Sequence, residues 1–106
     1  MVFATLKERN MNKTFTITMY SDPGHGWGKV KRDVLVNLGI ADKITRYSYQ
    51  RNGYVYLEED CDLTTLCMAL TERDTRVKFV EKRSNRDSKI RSYERYEYGF
   101  DNHSVA

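Results

Sequence analysis

Hydrophobic and polar residues alternate, then cycle, then alternate again along this chain, and the two periods outline its elements. TFTITMY (residues 14–20) interleaves threonine with Phe15, Ile17 and Met19, and a period of two among β-formers predicts a half-buried strand. VKRDVLVNLGI then sets Val30, Val34, Leu35 and Leu38 at helical spacing, with Gly39 placed as a C-cap. KITRYSYQ and YVYLEE are aromatic and β-branched runs on either side of Asn52-Gly53. That pair supplies the two positive-φ positions of a type I′ turn and so predicts a hairpin. DLTTLCMAL places Leu63, Leu66, Cys67 and Leu70 on one helical face, with Asp62 or Asp60 as N-cap. TRVKFVEK alternates Val77 and Phe79 with Arg76 and Lys78, giving a further strand.

The resulting order, β-α-β-β-α-β, predicts an α+β protein of the split βαβ, ferredoxin-like kind. This is a two-layer sandwich with two helices over one face of a four-stranded antiparallel sheet. At 106 residues the chain is read as one domain with a modest core and no room for a deep enclosed site. Hydrophobic residues at 40% and aromatics at 12% argue for a folded protein. The expected organisation is an extension over 1–10, the α+β domain over 11–83, and a polar, tyrosine-rich tail over 84–106 with a short helix near Ile90 to Tyr96. Residues 1–10 resemble a translated leader. Lys7-Glu8 can be encoded AAG GAG, a bacterial ribosome-binding sequence, and Met11 follows at a usable spacing, so Met11 is the expected start.

SDPGHGWGK (21–29) gathers three of the six glycines, the only proline and the only tryptophan between a strand and a predicted helix. Phosphate loops occupy such places, but the P-loop template fails at Pro23 and Val30, and Lys29 breaks the dinucleotide glycine pattern. Asp22-Pro23-Gly24 is read as a turn. Asp22, His25, Trp27 and Lys29 then form a candidate partner-binding loop. Asp22 and His25 are also the seed of a catalytic or metal reading, which supplies too few ligands for a catalytic zinc. Cys61 and Cys67 match no metal spacing and are read as ordinary thiols, Cys67 in the core. No cofactor and no metal is expected.

Charge is divided along the chain. Residues 58–74 hold six acids, among them Glu58, Glu59, Asp60 and Asp62, against Arg73 alone, a net of −5. Residues 76–95 hold eight cations against three acids, a net of +5. The acids suit a helix start and an acidic patch. The basic segment, with Lys82, Arg83, Arg86, Lys89, Arg91, Tyr93, Arg95 and Tyr96, mixes phosphate-gripping arginine with tyrosine as nucleic-acid surfaces do. Tyr47, Tyr49, Tyr54 and Tyr56 recur at period two. On an open sheet face they resemble the stacking platform of RNA-recognition domains, although the glycine-aromatic signature of those domains is missing. The opposed charges also permit a homodimer that salt would weaken.

SDPGHGW, VNLGI, YSYQ and VYLEEDCD together resemble a family of small, uncharacterised phage-encoded proteins, over roughly residues 19–96. The resemblance implies no established activity. No apolar stretch approaches the length of a membrane span and no signal-peptide pattern is present, so the expected location is the cytoplasm of a bacterial host cell. The expected function is binding without catalysis: a phage accessory protein that inhibits or modulates a bacterial host protein or protein–nucleic-acid complex, comparable in size to anti-CRISPRs. Direct nucleic-acid binding through the basic tail and tyrosine hairpin is the alternative. An enzyme built on Asp22, His25 and the carboxylates of 58–62 is a third.

Overall fold

The computed structural model describes residues 13–99. The expected start at Met11 and the residues from 100 onward lie outside the described residues. Six strands form one mixed sheet: β1 (Lys13–Ser21), β2 (Gly26–Lys31), β3 (Tyr49–Arg51), β4 (Tyr54–Glu58), β5 (Thr75–Arg83) and β6 (Glu94–Arg95), in the order β5-β1-β2-β4-β3-β6. Only β1 and β5 run parallel. Two helices, α1 (Arg32–Asn37) and α2 (Asp62–Glu72), bring Leu35, Leu63, Leu66 and Leu70 into one apolar core with Ile17, Val30, Val55 and Leu57 of the sheet.

The α+β class and the hairpin across Asn52-Gly53, both at positive φ, match the sequence pattern. So does α2. The topology differs from the four-stranded antiparallel arrangement. A strand, β2, stands where a loop and the first helical turn were expected. It pairs with β1 through a tight hairpin in which the Asp22 N–H donates to the His25 carbonyl at 2.9 Å. Consequently α1 starts at Arg32, and Val30 points from a strand into the core instead of from a helix. Gly39 still closes α1, at φ +71°.

One glycine of β2 has a packing reason. Gly28 sits under α2, where an added Cβ would come 2.8 Å from Leu63 Cδ1 and 3.1 Å from Ile17 Cγ2. A larger side chain would hold the helix off the sheet. The strand expected over KITRYSYQ is likewise short. Ala41–Lys43 forms a 3-10 turn, and Thr45 to Ser48 turn inward to Asp62, leaving only Tyr49–Arg51 to pair with β4.

Residues 84–93 cross the opposite face of the sheet. Ile90 is buried there with Trp27, Tyr49 and Tyr56, while Tyr20, Tyr54 and Tyr93 pack around them. A 3-10 turn, Lys89–Ser92, carries Ile90, and β6 then adds to the edge of β3. Tyr96 passes to the other side, is 1% exposed, and donates its hydroxyl to the Ala41 carbonyl within the main core. The basic segment is therefore built into the fold as far as it is described.

Candidate functional site: a clasped loop and an open cationic face

Asp22 closes the β1–β2 hairpin. Its Oδ1 accepts the backbone N–H groups of Gly24 (3.0 Å) and His25 (2.9 Å), the turn expected of Asp-Pro-Gly. The same carboxylate reaches across the chain. Oδ2 accepts from Ser88 N (2.8 Å) and Arg91 Nε (2.7 Å), and Oδ1 accepts from Arg91 Nη2 at 2.9 Å. The Arg91 guanidinium first, and the Ser88 N–H after it, hold the Asp22 carboxyl far below the usual carboxylate range, and the pairing raises Arg91. A carboxylate so saturated is no general base at neutral pH. Trp27, 2% exposed, lies beneath Arg91, whose guanidinium stands 5.4 Å from the ring centroid.

The acidic knot divides by role. Asp62 is fully buried and accepts from Thr45 N (3.1 Å), Thr45 Oγ1 (2.7 Å) and Ser48 Oγ (2.5 Å). It anchors the loop before β3 and is neither exposed nor the N-cap of α2. The residue preceding that helix is Cys61, without a side-chain cap. The turn is held instead by Glu58, which accepts from Asp60 N (2.9 Å) and Cys61 N (2.8 Å). Glu59 and Asp60 are exposed. Cys61 is exposed and Cys67 only partly buried against the core.

A cleft of about 400 Å³ brings together residues from all three candidate groups: His25 and Trp27 from the loop, Glu58 and Asp60 from the knot, Arg91 and Arg95 from the basic segment, with Tyr47 at its lip. Three of its polar side chains already have partners. Arg91 holds Asp22, Glu58 holds its own turn, and Arg95 donates to the Arg46 carbonyl at 3.2 Å. Among the described residues no three His, Cys, Asp or Glu side chains are arranged to hold a metal ion, and no helix is long and apolar enough to cross a membrane.

The larger surface is the lower half of the open face. Strand register fixes its membership. Phe15, Ile17 and Met19 point to the helices, so Thr14, Thr16, Thr18 and Tyr20 point away from them. By pairing, Lys29 and Lys31 of β2, Tyr54 and Tyr56 of β4, Arg51 of β3, and Arg76, Lys78, Val80 and Lys82 of β5 share that side. Glu58, at the upper end of β4, is the one carboxylate these strands place there; Glu81 falls on the helical side with Met19. The aromatic rings carry cations. Lys29 Nζ lies 4.2 Å from the Tyr54 centroid, Arg51 4.9 Å from Tyr93, and Arg95 4.6 Å from Tyr49.

Of the residues singled out in the sequence, Lys29 and Lys82 belong to this face, Trp27 and Tyr96 are buried, and Arg83, Arg86 and Lys89 are exposed on β5 and the crossing segment. Lys31, Arg51, Arg76 and Lys78 were not singled out. The signal available for them was the parity of cations within predicted strands. No family model matches this chain, no curated protein matches it in sequence, and no solved structure matches it in fold.

Proposed function

We propose that the protein acts by binding a nucleic acid, gripping its phosphate backbone with the open face of the sheet. One observation carries this reading: Lys29, Lys31, Arg51, Arg76, Lys78 and Lys82 occupy one side of neighbouring strands, and the only carboxylate that the described strands place there, Glu58, is tied into the turn at its far end. A surface of one sign attracts a polyanion and releases its counterions on contact. Five such cations engaging a single strand give a slope of log K against log salt of about −3.5, a loss of roughly a hundredfold between about 50 and 200 mM salt. Fluorescence anisotropy with a labelled oligonucleotide measures this slope. The double substitution Arg76→Glu and Lys78→Glu should abolish binding and leave the melting temperature within about 2 °C, since both side chains are exposed. An oligonucleotide that fails to bind the unsubstituted protein even at low salt overturns the proposal.

A second reading, a phage accessory protein docking on a bacterial host protein, is favoured by a separate feature. Met68 (60% exposed) and Phe79 (47%) flank a shallow groove between α2 and β5, with Glu59 and Glu72 at its rim. Apolar side chains in such a setting suit a protein contact. Phe79→Ser with Met68→Ser should then remove a stoichiometric host protein from a nuclease-treated pull-down, while salt has little effect. An unchanged pull-down rejects this reading.

A further inference from the structure

β5 pairs with β1 over all nine of its residues, and among the described residues no strand lies on its other side. Such an edge presents a row of backbone donors and acceptors to an added strand. Its two faces differ in chemistry. Pairing with Thr14, Thr16 and Tyr20 puts Arg76, Lys78 and Lys82 on the open face, with Val80 between the last two. Pairing with Phe15, Ile17 and Met19 puts Val77, Phe79 and Glu81 on the helical face. There the exposed Phe79 borders the groove of about 460 Å³ between α2 and β5, where Met68 is exposed and Glu59 and Glu72 stand at the rim.

Resting on the protein-contact reading above, we infer that the outer edge of β5 takes an extended peptide segment of a protein partner as an added strand. Alternate side chains of such a segment fall on opposite faces. Those beside Arg76, Lys78 and Lys82 are acidic, because opposite charges on neighbouring strands stabilise the pairing and like charges oppose it. Those on the other face are apolar. They meet Phe79 and Met68, while Glu59, Glu72 and Glu81 repel carboxylates from that side. The partner is thus a strand with acidic and apolar residues at period two, its polarity set face by face. A second copy of β5 does not fit, since its cations would oppose those of the first. Arg76 and Lys78 are also offered to a phosphate backbone, so peptide and nucleic acid exclude one another.

The probe is a fluorescein-labelled heptapeptide alternating glutamate and valine, with glutamate at both ends, followed by anisotropy with the full chain at low salt. A peptide of the same composition in two blocks, glutamates first and valines after, should bind about tenfold more weakly, because no register then suits both faces. Two further versions carry N-methyl groups on the valine amides or on the glutamate amides. In a strand these two sets of N–H groups point to opposite edges, so one version should keep its affinity and the other lose about tenfold or more. Arg76→Glu with Lys78→Glu should weaken the glutamate peptide about tenfold and strengthen binding of its lysine counterpart, an exchange that unfolding cannot produce. Equal binding by the alternating and block peptides, or loss in both N-methylated versions or in neither, overturns strand addition. A peptide that binds only when a dimer dissociates on dilution gives the edge to a second copy and overturns it too. So does an alternating peptide that never binds. If Phe79→Ser with Met68→Ser still removes a host protein from the pull-down in that case, the protein-contact reading survives alone; if it does not, both fall.

Discussion

Replacing Tyr96 by alanine tests whether the basic segment is an appendage or part of the domain. Tyr96 is 1% exposed, packs in the main core with Leu35, Ile40 and Ala41, and donates its hydroxyl to the buried Ala41 carbonyl. The Arg32 guanidinium lies 4.8 Å from its ring centroid. Truncating a buried aromatic to alanine costs about 3–5 kcal/mol, the lost transfer energy plus the cavity left behind. The hydroxyl bond alone is worth about 1 kcal/mol, so Tyr96→Phe should retain most of the stability. For a domain near this size each kcal/mol shifts the melting temperature by about 4–8 °C, placing Tyr96→Ala at least about 12 °C below the unsubstituted protein. Tyr98, two residues on and 68% exposed, is the control, and its alanine variant should fall within about 0.5 kcal/mol. Urea denaturation followed by tryptophan fluorescence reads all three, because Trp27 is buried beneath the same segment. A Tyr96→Ala variant no less stable than Tyr98→Ala refutes the reasoning, and the segment would then be dispensable.

Asp62→Ala strands the Thr45 N–H, the Thr45 hydroxyl and the Ser48 hydroxyl; at about 1–3 kcal/mol for each buried donor left unsatisfied, thermal melts should show a loss of roughly 3 kcal/mol or more. A loss under about 1 kcal/mol would return Asp62 to the surface. The carboxyl of Asp22 is depressed in the fold, so its stabilising contribution is full above the unfolded-state value of 3.8 and erodes as pH falls below it; acid titration of Asp22→Asn should lack that component. Tyr56 is pushed up to about 12, burial first and the neighbouring Tyr93 second, against 10.0 when unfolded. The sign is opposite: its contribution is intact below pH 10 and lost as pH climbs towards 12, and Tyr56→Phe should flatten alkaline unfolding in that window.

What the sequence disclosed depended on whether a residue's partner was near it in the chain. Asn52-Gly53 fixes its hairpin through its own backbone angles, and α2 declares itself by spacing alone, so both were legible. β2 was not. Gly26 and Gly28 lower strand propensity and read as a loop, yet Gly28 is held to glycine by Leu63, more than thirty residues later, which presses on that strand. Asp62 fits the rule for a helix N-cap, but its ligands are Thr45 and Ser48, brought in by a turn with no periodic signal. Ile90 and Tyr96 are isolated apolar residues in a charged run, and no window statistic separates such plugs from solvated ones. The loop and the basic segment were each noted as candidates; that Asp22 and Arg91 join them, 69 residues apart, is a fact of tertiary structure.

The division of charge along the chain acquires its meaning from the same tertiary placement. Of the acids of 58–74, Asp62 and Glu72 lie on α2 and Glu59 and Asp60 in the turn before it, while Glu58 ends β4 and Asp74 follows the helix; the cations of 76–82 alternate along β5. Alternation with Val77 and Phe79 sends Arg76, Lys78 and Lys82 to the open face, so a sequence gradient becomes a difference between the two sides of one sheet. β5 is also an edge strand of nine residues, long enough to pair with a second copy. Antiparallel pairing about Phe79 would set Arg76 against Lys82, and pairing about Val80 would set Lys78 against Lys82. Like charges directly opposed weaken either register. The cations that suit this face to a phosphate backbone thus also guard its edge, which explains why the longest exposed strand of the domain carries basic residues where an isolated sheet would otherwise invite self-association.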